Sequence, residues 1–210
     1  MYVTKKIKQE MLQILEEIYK DSKPALKYNS DFELLIAVIL SAQCTDVRVN
    51  ITTGRMFPQY NTPKKMLQLT LTELEEQIKD CGLYKSKAKN IYETCKILMS
   101  EYNSAVPSDF DDLIKLPGVG RKTANVVRSI LFDIPAIAVD THVFRVSNRL
   151  RLAKGTTPLE VEKKLMKAIP QDKWSAAHHW LIWHGRLVCK ARNPICHSCK
   201  LAEICPSSEK

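Results

Sequence analysis

Leu116-Pro117-Gly118-Val119-Gly120-Arg121-Lys122 lies between two stretches of helical periodicity and constrains this chain more than any other segment. Before it, Ser108-Asp109-Phe110-Asp111-Asp112-Leu113-Ile114-Lys115 reads as a short helix, with Ser108 as N-cap and acids in its first turn. After it, Lys122 to Phe132 places Ala124, Val127, Ile130 and Leu131 at the helical period. Pro117 ends the first helix, and Gly118 and Gly120 permit a turn that side chains would strain. The fold must therefore turn one helix back on another within a few residues, over about 108–132. Such a turn leaves N–H groups at a helix start, where a phosphate can bind. An ordinary helix-turn-helix corner would use the same glycines. Lys122 tips the balance: the helix dipole disfavours a cation in the first turn, so helix stability does not explain it.

The remainder reads as one helix after another. Lys5 to Tyr19 is amphipathic, with Ile7, Met11, Ile14, Leu15 and Ile18 on one face. Phe32 to Leu40 is apolar on nearly all sides, which marks a central buried helix. Thr45 caps a helix to about Phe57, and Thr62-Pro63 joins a cap to a proline in the first turn. Thr72-Glu73-Leu74-Glu75 reads as a capping box, and Lys85 to Met99 follows the turn Cys81-Gly82-Leu83-Tyr84. Asp140 is a natural cap for a helix through Leu150. Thr157-Pro158-Leu159-Glu160 combines box and proline, opening a helix to Ile169, and the last helix runs from about Asp172 to Val188. Ile134 to Val139 is the one extended connector. The fold class is all-α.

Composition narrows the partner. A chain of 210 residues makes one large or two small domains. Net charge +9 and a pI near 9.2 point to an anionic partner. Nucleic acid comes before membrane, because no apolar run reaches spanning length. The start, Met1-Tyr2-Val3-Thr4-Lys5-Lys6-Ile7-Lys8, is basic without an apolar signal core, so a cytoplasmic, nucleoid-associated protein is expected. Seven cysteines without such a signal argue against a disulfide framework. Four of them, Cys189, Cys196, Cys199 and Cys205, fall within seventeen residues, among Lys190, Arg192, Asn193, His197 and Lys200. Thiolates so concentrated in a polar segment indicate a metal site, and the spacing suits zinc or an iron–sulfur cluster. Cys44, Cys81 and Cys95 lie in helical context and read as packing residues.

Val139-Asp140-Thr141-His142 follows the hairpin, with Asp140 eighteen positions beyond Lys122. Together, the two motifs resemble the helix-hairpin-helix DNA glycosylases, in the branch that includes endonuclease III, and the resemblance runs through nearly the whole chain. It implies two helical lobes with the active site in the cleft between them. The helical-barrel domain would span 23–132, and the iron–sulfur cluster domain 1–22 plus 133–210. It implies a [4Fe–4S] cluster on the four C-terminal cysteines, mainly structural. The cluster would hold a basic loop bearing Lys190, Arg192 and Lys200 against the DNA backbone. The implied partner is double-stranded DNA containing damaged bases or abasic sites, and the protein is expected to act as a monomer.

The resemblance also assigns chemistry. Lys122 would attack C1′ of a flipped nucleotide, expel the damaged base and form a Schiff base, after which β-elimination cuts the strand. Asp140 would stabilise the cationic sugar and assist proton transfers, a role compatible with capping. Deprotonating a lysine near neutrality costs roughly 4 kcal/mol, of which a helix N-terminus supplies up to about 2. Arg121 adds repulsion, and desolvation around bound substrate must supply much of the rest. Because a base inside a duplex is out of reach, the enzyme must extrude it and fill the gap. Gln43, in Leu40-Ser41-Ala42-Gln43, and Leu83 match the family's wedges; the plainer readings are a polar helix end and a core leucine. Gly118, Gly120 and Arg121 are further candidate DNA contacts. Asp46 and His142 are candidates for the base pocket that could equally cap or solvate a helix start.

The activity implied is a bifunctional glycosylase and abasic-site lyase acting on oxidised pyrimidines. A monofunctional adenine or mismatch glycosylase would share the hairpin, aspartate and cluster motifs. Lys122 and the short stretch after Cys205 argue against it. A non-catalytic, cluster-bearing DNA-binding or redox protein is the third reading, and cleavage of an abasic-site duplex separates it from the first. Cys44 stands where some relatives carry a smaller residue, a departure that bears on oxidation sensitivity.

Overall fold

Side-chain caps start most of the helices. The computed structural model describes residues 3–22 and 24–208. Met1 and Tyr2 of the basic N-terminus, and Lys23 at the expected domain boundary, lie outside the described residues. The helices are α1 Lys5–Tyr19, α2 Asp31–Ser41, α3 Asp46–Met56, α4 Pro63–Met66, α5 Leu71–Gln77, α6 Tyr84–Glu101, α7 Phe110–Lys115, α8 Arg121–Leu131, α9 Thr141–Arg149, α10 Pro158–Ala168 and α11 Trp174–Leu187. Short 3-10 turns occupy Gln171–Lys173 and Cys196–Ser198. No strand occurs among the described residues, and no described helix is long and apolar enough to cross a membrane.

Thr4, Ser30, Thr45, Thr62 and Asp140 each accept a backbone N–H two or three residues into their helix. Three caps differ from the sequence reading. Asp109 rather than Ser108 caps α7, accepting from the N–H groups of both Asp111 and Asp112, because its carboxylate is one residue closer to them. The capping box of α5 is Thr70 with Glu73, not Thr72 with Glu75: Leu71 already belongs to the helix. At α10, Thr157 caps Glu160 N–H, but the Glu160 carboxylate turns to the N–H and hydroxyl of Thr156. The final helix also begins later, at Trp174, behind the 3-10 turn.

The chain divides into two compact units, Pro24–Asp133 and, discontinuously, Met1–Lys23 with Ile134–Lys210. In the first, α2 is the axis. Every residue from Phe32 to Leu40 is buried, and α2 packs on α3, α6 and α8. Burying a leucine or isoleucine stabilises by about 1.5–3 kcal/mol, so this helix alone accounts for much of the unit's core. Its one buried charged residue, Glu33, is 2% exposed, and its carboxylate accepts from the N–H and side-chain amide of Asn29. In the second unit, α11 packs on α1 and α9 around Met11, Leu15, Val143, Val146 and Leu181. Ile18, expected on the buried face of α1, is 36% exposed; Leu12 and Tyr19 take that face instead.

Candidate active site and cysteine loop

The turn between α7 and α8 is built as the sequence demands. Val119 N–H donates to Leu116 C=O at 3.0 Å, closing a four-residue turn with Pro117 second and Gly118 third at φ +81°. That is the arrangement of a type II turn, in which glycine takes the left-handed position. A Cβ on Gly118 would lie 3.1 Å from Asn90 Cβ and 3.3 Å from Ile39 Cγ2, so crowding as well as φ disfavours a side chain. Gly120 is different: it is the N-cap of α8 at φ −91°, and nothing lies within 4 Å of a Cβ placed there. No side chain caps α8. Its first turn therefore presents N–H groups across an open glycine. Lys122 stands in that turn, exposed, beside Arg121, whose guanidinium lies 4.8 Å above the Phe110 ring.

One face of α6 ties this hairpin to the candidate wedges. Thr94 Oγ1 donates to Pro117 C=O at 2.9 Å, and Asn90 packs on Gly118. Lys87, 4% exposed, donates from Nζ to Leu40 C=O at 2.8 Å and so satisfies a carbonyl at the end of α2. Burial holds the Lys87 ammonium below its ordinary pKa. Leu83, the residue before α6, is 59% exposed at φ 59°, which overturns the core reading of this side chain. Gln43 is exposed at φ 53°, and a Cβ on Gly82 would sit 3.4 Å from its carbonyl oxygen. The two candidate wedges thus occupy touching turns. Asp46 is half-buried in the first turn of α3, behind the Thr45 cap. Cys44 and Cys81 lie in those turns rather than in helices; only Cys95 is helical, and burial raises its thiol to about 12.

In the other unit the buried extended segment Ala136–Val139 leads to Asp140, half-buried, whose Oδ1 accepts from Val143 N–H at 2.8 Å. His142 sits one residue into the α9 helix, against Gly185: a Cβ there would lie 3.0 Å from His142 Cβ. Arg145 Nη2 donates to His142 Nδ1 at 3.2 Å and to Gly185 C=O at 2.8 Å, while its Nε donates to Cys189 C=O at 3.1 Å. One turn on, Arg149 donates to Lys190 C=O at 2.6 Å and Ala191 C=O at 3.0 Å, and lies 3.4 Å from Cys189 Sγ. Sequence reasoning missed Arg145, Arg149 and Lys87. The two arginines at i, i+4 were the available signal, since that spacing puts both forks on one helix face.

Cys189, Cys196, Cys199 and Cys205 line a single cavity of about 240 Å³, with Arg149, His184 and Ile195. Burial pushes the Cys199 and Cys205 thiols up, and backbone N–H groups of Leu201, Ala202 and Ser207 oppose that shift. His184 lies between Cys199 Sγ at 3.8 Å and the Tyr19 hydroxyl at 3.2 Å; burial lowers it to about 4. Among the described residues, no three His, Cys, Asp or Glu side chains converge as a single ion requires. Lys190, Arg192 and Lys200 project from this loop, all exposed.

Residues 36–171 match the family of HhH-GPD superfamily base excision DNA repair proteins. Endonuclease III of Rickettsia conorii is 54% identical over 196 residues, 93% of each chain. Endonuclease III of Escherichia coli K12 is 50% identical over 201 residues, 96% of this chain and 95% of its own. A solved structure of a trapped endonuclease III–DNA covalent intermediate superposes with a TM-score of 0.95 at 50% identity, covering 99% of this chain and 98% of that one. A thermostable thymine-DNA glycosylase, 21% identical, shares the fold with a TM-score of 0.87 over 99% of each chain. The chain belongs to the HhH-GPD superfamily of base excision DNA repair proteins and, within it, to the endonuclease III family of DNA glycosylases and abasic-site lyases.

Proposed function

We propose that this enzyme removes oxidised pyrimidines from duplex DNA and that Lys122 is the nucleophile for both base excision and strand cleavage. The observation that carries the assignment is the exposed Lys122 amine in the first turn of an uncapped helix, beside an open glycine and an anchored turn. A phosphate held by that helix start would set the sugar beside the amine. The amine attacks C1′; the C1′–N bond breaks, and the base leaves with the electron pair and gains a proton. The C1′–O4′ bond then breaks, O4′ leaves with the electron pair and takes up a proton, and the opened sugar carries the imine. Proton abstraction at C2′ then breaks the C3′–O bond. A DNA covalent intermediate in a relative of 50% identity supports an enzyme-borne nucleophile. Lys122 is exposed in the protein alone, so bound DNA must supply the desolvation this chemistry needs.

Asp140 is proposed to face the developing positive charge with the carboxylate oxygen that does not accept from Val143 N–H. Gln43 and Leu83 would fill the stack left by the extruded nucleotide; their exposure and touching turns support this. Gly118, Gly120 and Arg121 would grip one stretch of backbone, and Lys190, Arg192 and Lys200 another. Asp46 and His142 are proposed to contact the extruded base. In this division of labour 23–132 carries nucleophile and wedges, while 1–22 with 133–210 carries aspartate and cluster.

The four C-terminal cysteines are proposed to hold a [4Fe–4S] cluster. A tetrahedral zinc site would bring four sulfurs to about 3.8 Å of one another. Here the sulfurs instead surround a cavity of about 240 Å³, and no such convergence occurs among the described residues. Arg149 and the N–H groups at 201, 202 and 207 point at sulfur, the donors that a thiolate-bound cluster needs. When bound, the cluster supplies a scaffold for the basic loop and no step of the reaction.

Borohydride reduction during turnover tests the nucleophile. It should freeze a protein–DNA adduct that mass spectrometry maps to Lys122. Lys122→Gln should lose cleavage and trapping while still binding lesion DNA. A trapped adduct in Lys122→Gln would place the nucleophile elsewhere.

A further inference from the structure

Two thiols stand directly behind the proposed wedges. Cys44 follows Gln43, and Cys81 precedes Gly82-Leu83. Their turns are in contact through Gly82 and the Gln43 carbonyl, and the two thiol side chains interact directly. Cys81 is fully buried, with its sulfur 3.7 Å from the Thr52 hydroxyl, whereas Cys44 is half-buried and open to a small oxidant. Lys87 completes the group. Its nearly buried ammonium is fixed on Leu40 C=O, and its charge acts on both sulfurs. Burial raises the Cys81 thiol in spite of that charge, which leaves Cys81 as the second thiol to react and the more accessible Cys44 as the first to meet an oxidant.

We propose that Cys44 and Cys81 form a peroxide-sensitive dithiol, a modification site whose oxidation disables the wedge turns. The effect on DNA rests on the wedge reading of Gln43 and Leu83; formation of the bond does not. Cys44 thiolate attacks one oxygen of hydrogen peroxide, the O–O bond breaks, and the hydroxide released leaves as water after taking up a proton, giving a sulfenic acid. The Cys81 sulfur then attacks the Cys44 sulfur; the S–O bond breaks, and water leaves with the Cys81 proton. Two thiols and one peroxide give one disulfide and two waters, with two electrons passing from sulfur to peroxide oxygen. A disulfide holds its sulfurs about 2.05 Å apart, closer than any non-bonded contact. The bond therefore ties together the Gln43 and Leu83 turns, at two residues held at positive φ.

The test uses the full chain with its cluster. After hydrogen peroxide and catalase, free thiols are alkylated and the protein is mapped without reduction. The expected product is one linked peptide carrying Cys44 and Cys81, lighter by two hydrogens than its parts. Affinity for a lesion duplex should fall about tenfold or more while cleavage of single-stranded abasic DNA persists, and dithiothreitol should restore it. Cys44→Ala should give no link and keep its duplex affinity through the same treatment. Cluster damage would strike both proteins alike and show in visible absorbance. Absence of the linked peptide, or Cys44 oxidised only to sulfinic acid, overturns the dithiol. If the link forms but duplex affinity holds, Leu83→Ala decides what failed. A weakened Leu83→Ala refutes only the coupling between dithiol and wedge, while an unaffected one refutes the wedge reading itself.

Discussion

Replacing each hairpin glycine by alanine should produce opposite phenotypes. At Gly118 the φ of +81° costs an alanine about 1–2 kcal/mol. The new methyl would sit 3.1 Å from Asn90 Cβ, 3.2 Å from its Nδ2 and 3.3 Å from Ile39 Cγ2, crowding worth about 1–3 kcal/mol. Lost chain entropy in the unfolded state returns about 0.4–1 kcal/mol. The net is about 1–4.5 kcal/mol, a fall in Tm of about 2–18 °C for a chain of this size. At Gly120, φ is −91° and the space is empty, so the weaker capping by alanine and the entropy gain nearly cancel. Gly120→Ala should melt like the parent yet bind lesion DNA more weakly, because a methyl now covers the N–H groups of α8. Thermal melts and fluorescence anisotropy on a lesion duplex measure the two effects. Gly118→Asn separates the causes, since asparagine tolerates left-handed φ but keeps the crowding. A Gly118→Ala protein within about 0.5 kcal/mol of the parent would refute the packing argument. A Gly120→Ala protein with unchanged affinity would refute phosphate contact at this helix start.

Other outcomes follow from the same geometry. Asp140→Asn keeps an acceptor for Val143 N–H, so it should fold normally and lose turnover; full activity would reduce Asp140 to a cap. Leu83→Ala removes an exposed side chain, so stability should be unchanged while duplex lesion binding falls more than binding to single-stranded abasic DNA. Affinity should drop steeply with salt if Lys190, Arg192 and Lys200 contact phosphate, and replacing one of them should flatten the slope of log K against log salt by about 1. Burial holds the Cys95 thiol at about 12. The unfolded chain loses that proton near 9.0, so stability is fully present below this pH and is lost progressively toward 12, by at most about 4 kcal/mol. Urea midpoints at neutral and alkaline pH should show a smaller loss for Cys95→Ala than for the parent.

Local signals carried the helices. Short polar side chains ahead of apolar periods found most of the starts, and the all-apolar run at Phe32–Leu40 identified the central helix of its unit. The misplaced caps at 108 and 72 share one cause: several Ser, Thr and Asp stand in succession, and only backbone geometry decides which one accepts. The hairpin turn was readable because Pro117 and Gly118 have few alternatives. The linkages around it were not. Nothing in Lys87, Asn90 or Thr94 announces a partner 47 residues upstream or twenty-odd residues downstream, because a helix face acquires its neighbours from tertiary packing. Arg145 and Arg149 drew no reading from the sequence, although their forks are spent on carbonyls of α11 and the cysteine loop.

The anchored face of α6 also works as a ruler. Lys87 and Thr94, both buried, are seven residues apart, about two helical turns, so both fall on the same side and about 10 Å apart along the axis. The Leu40 carbonyl at one end and the Pro117 carbonyl at the other are thus held at two graduations of one rigid rod. A residue inserted between them would add only about 1.5 Å but rotate one mark by about 100° relative to the other. The spacing between the end of α2 and the hairpin turn can therefore change only by about whole turns of this helix.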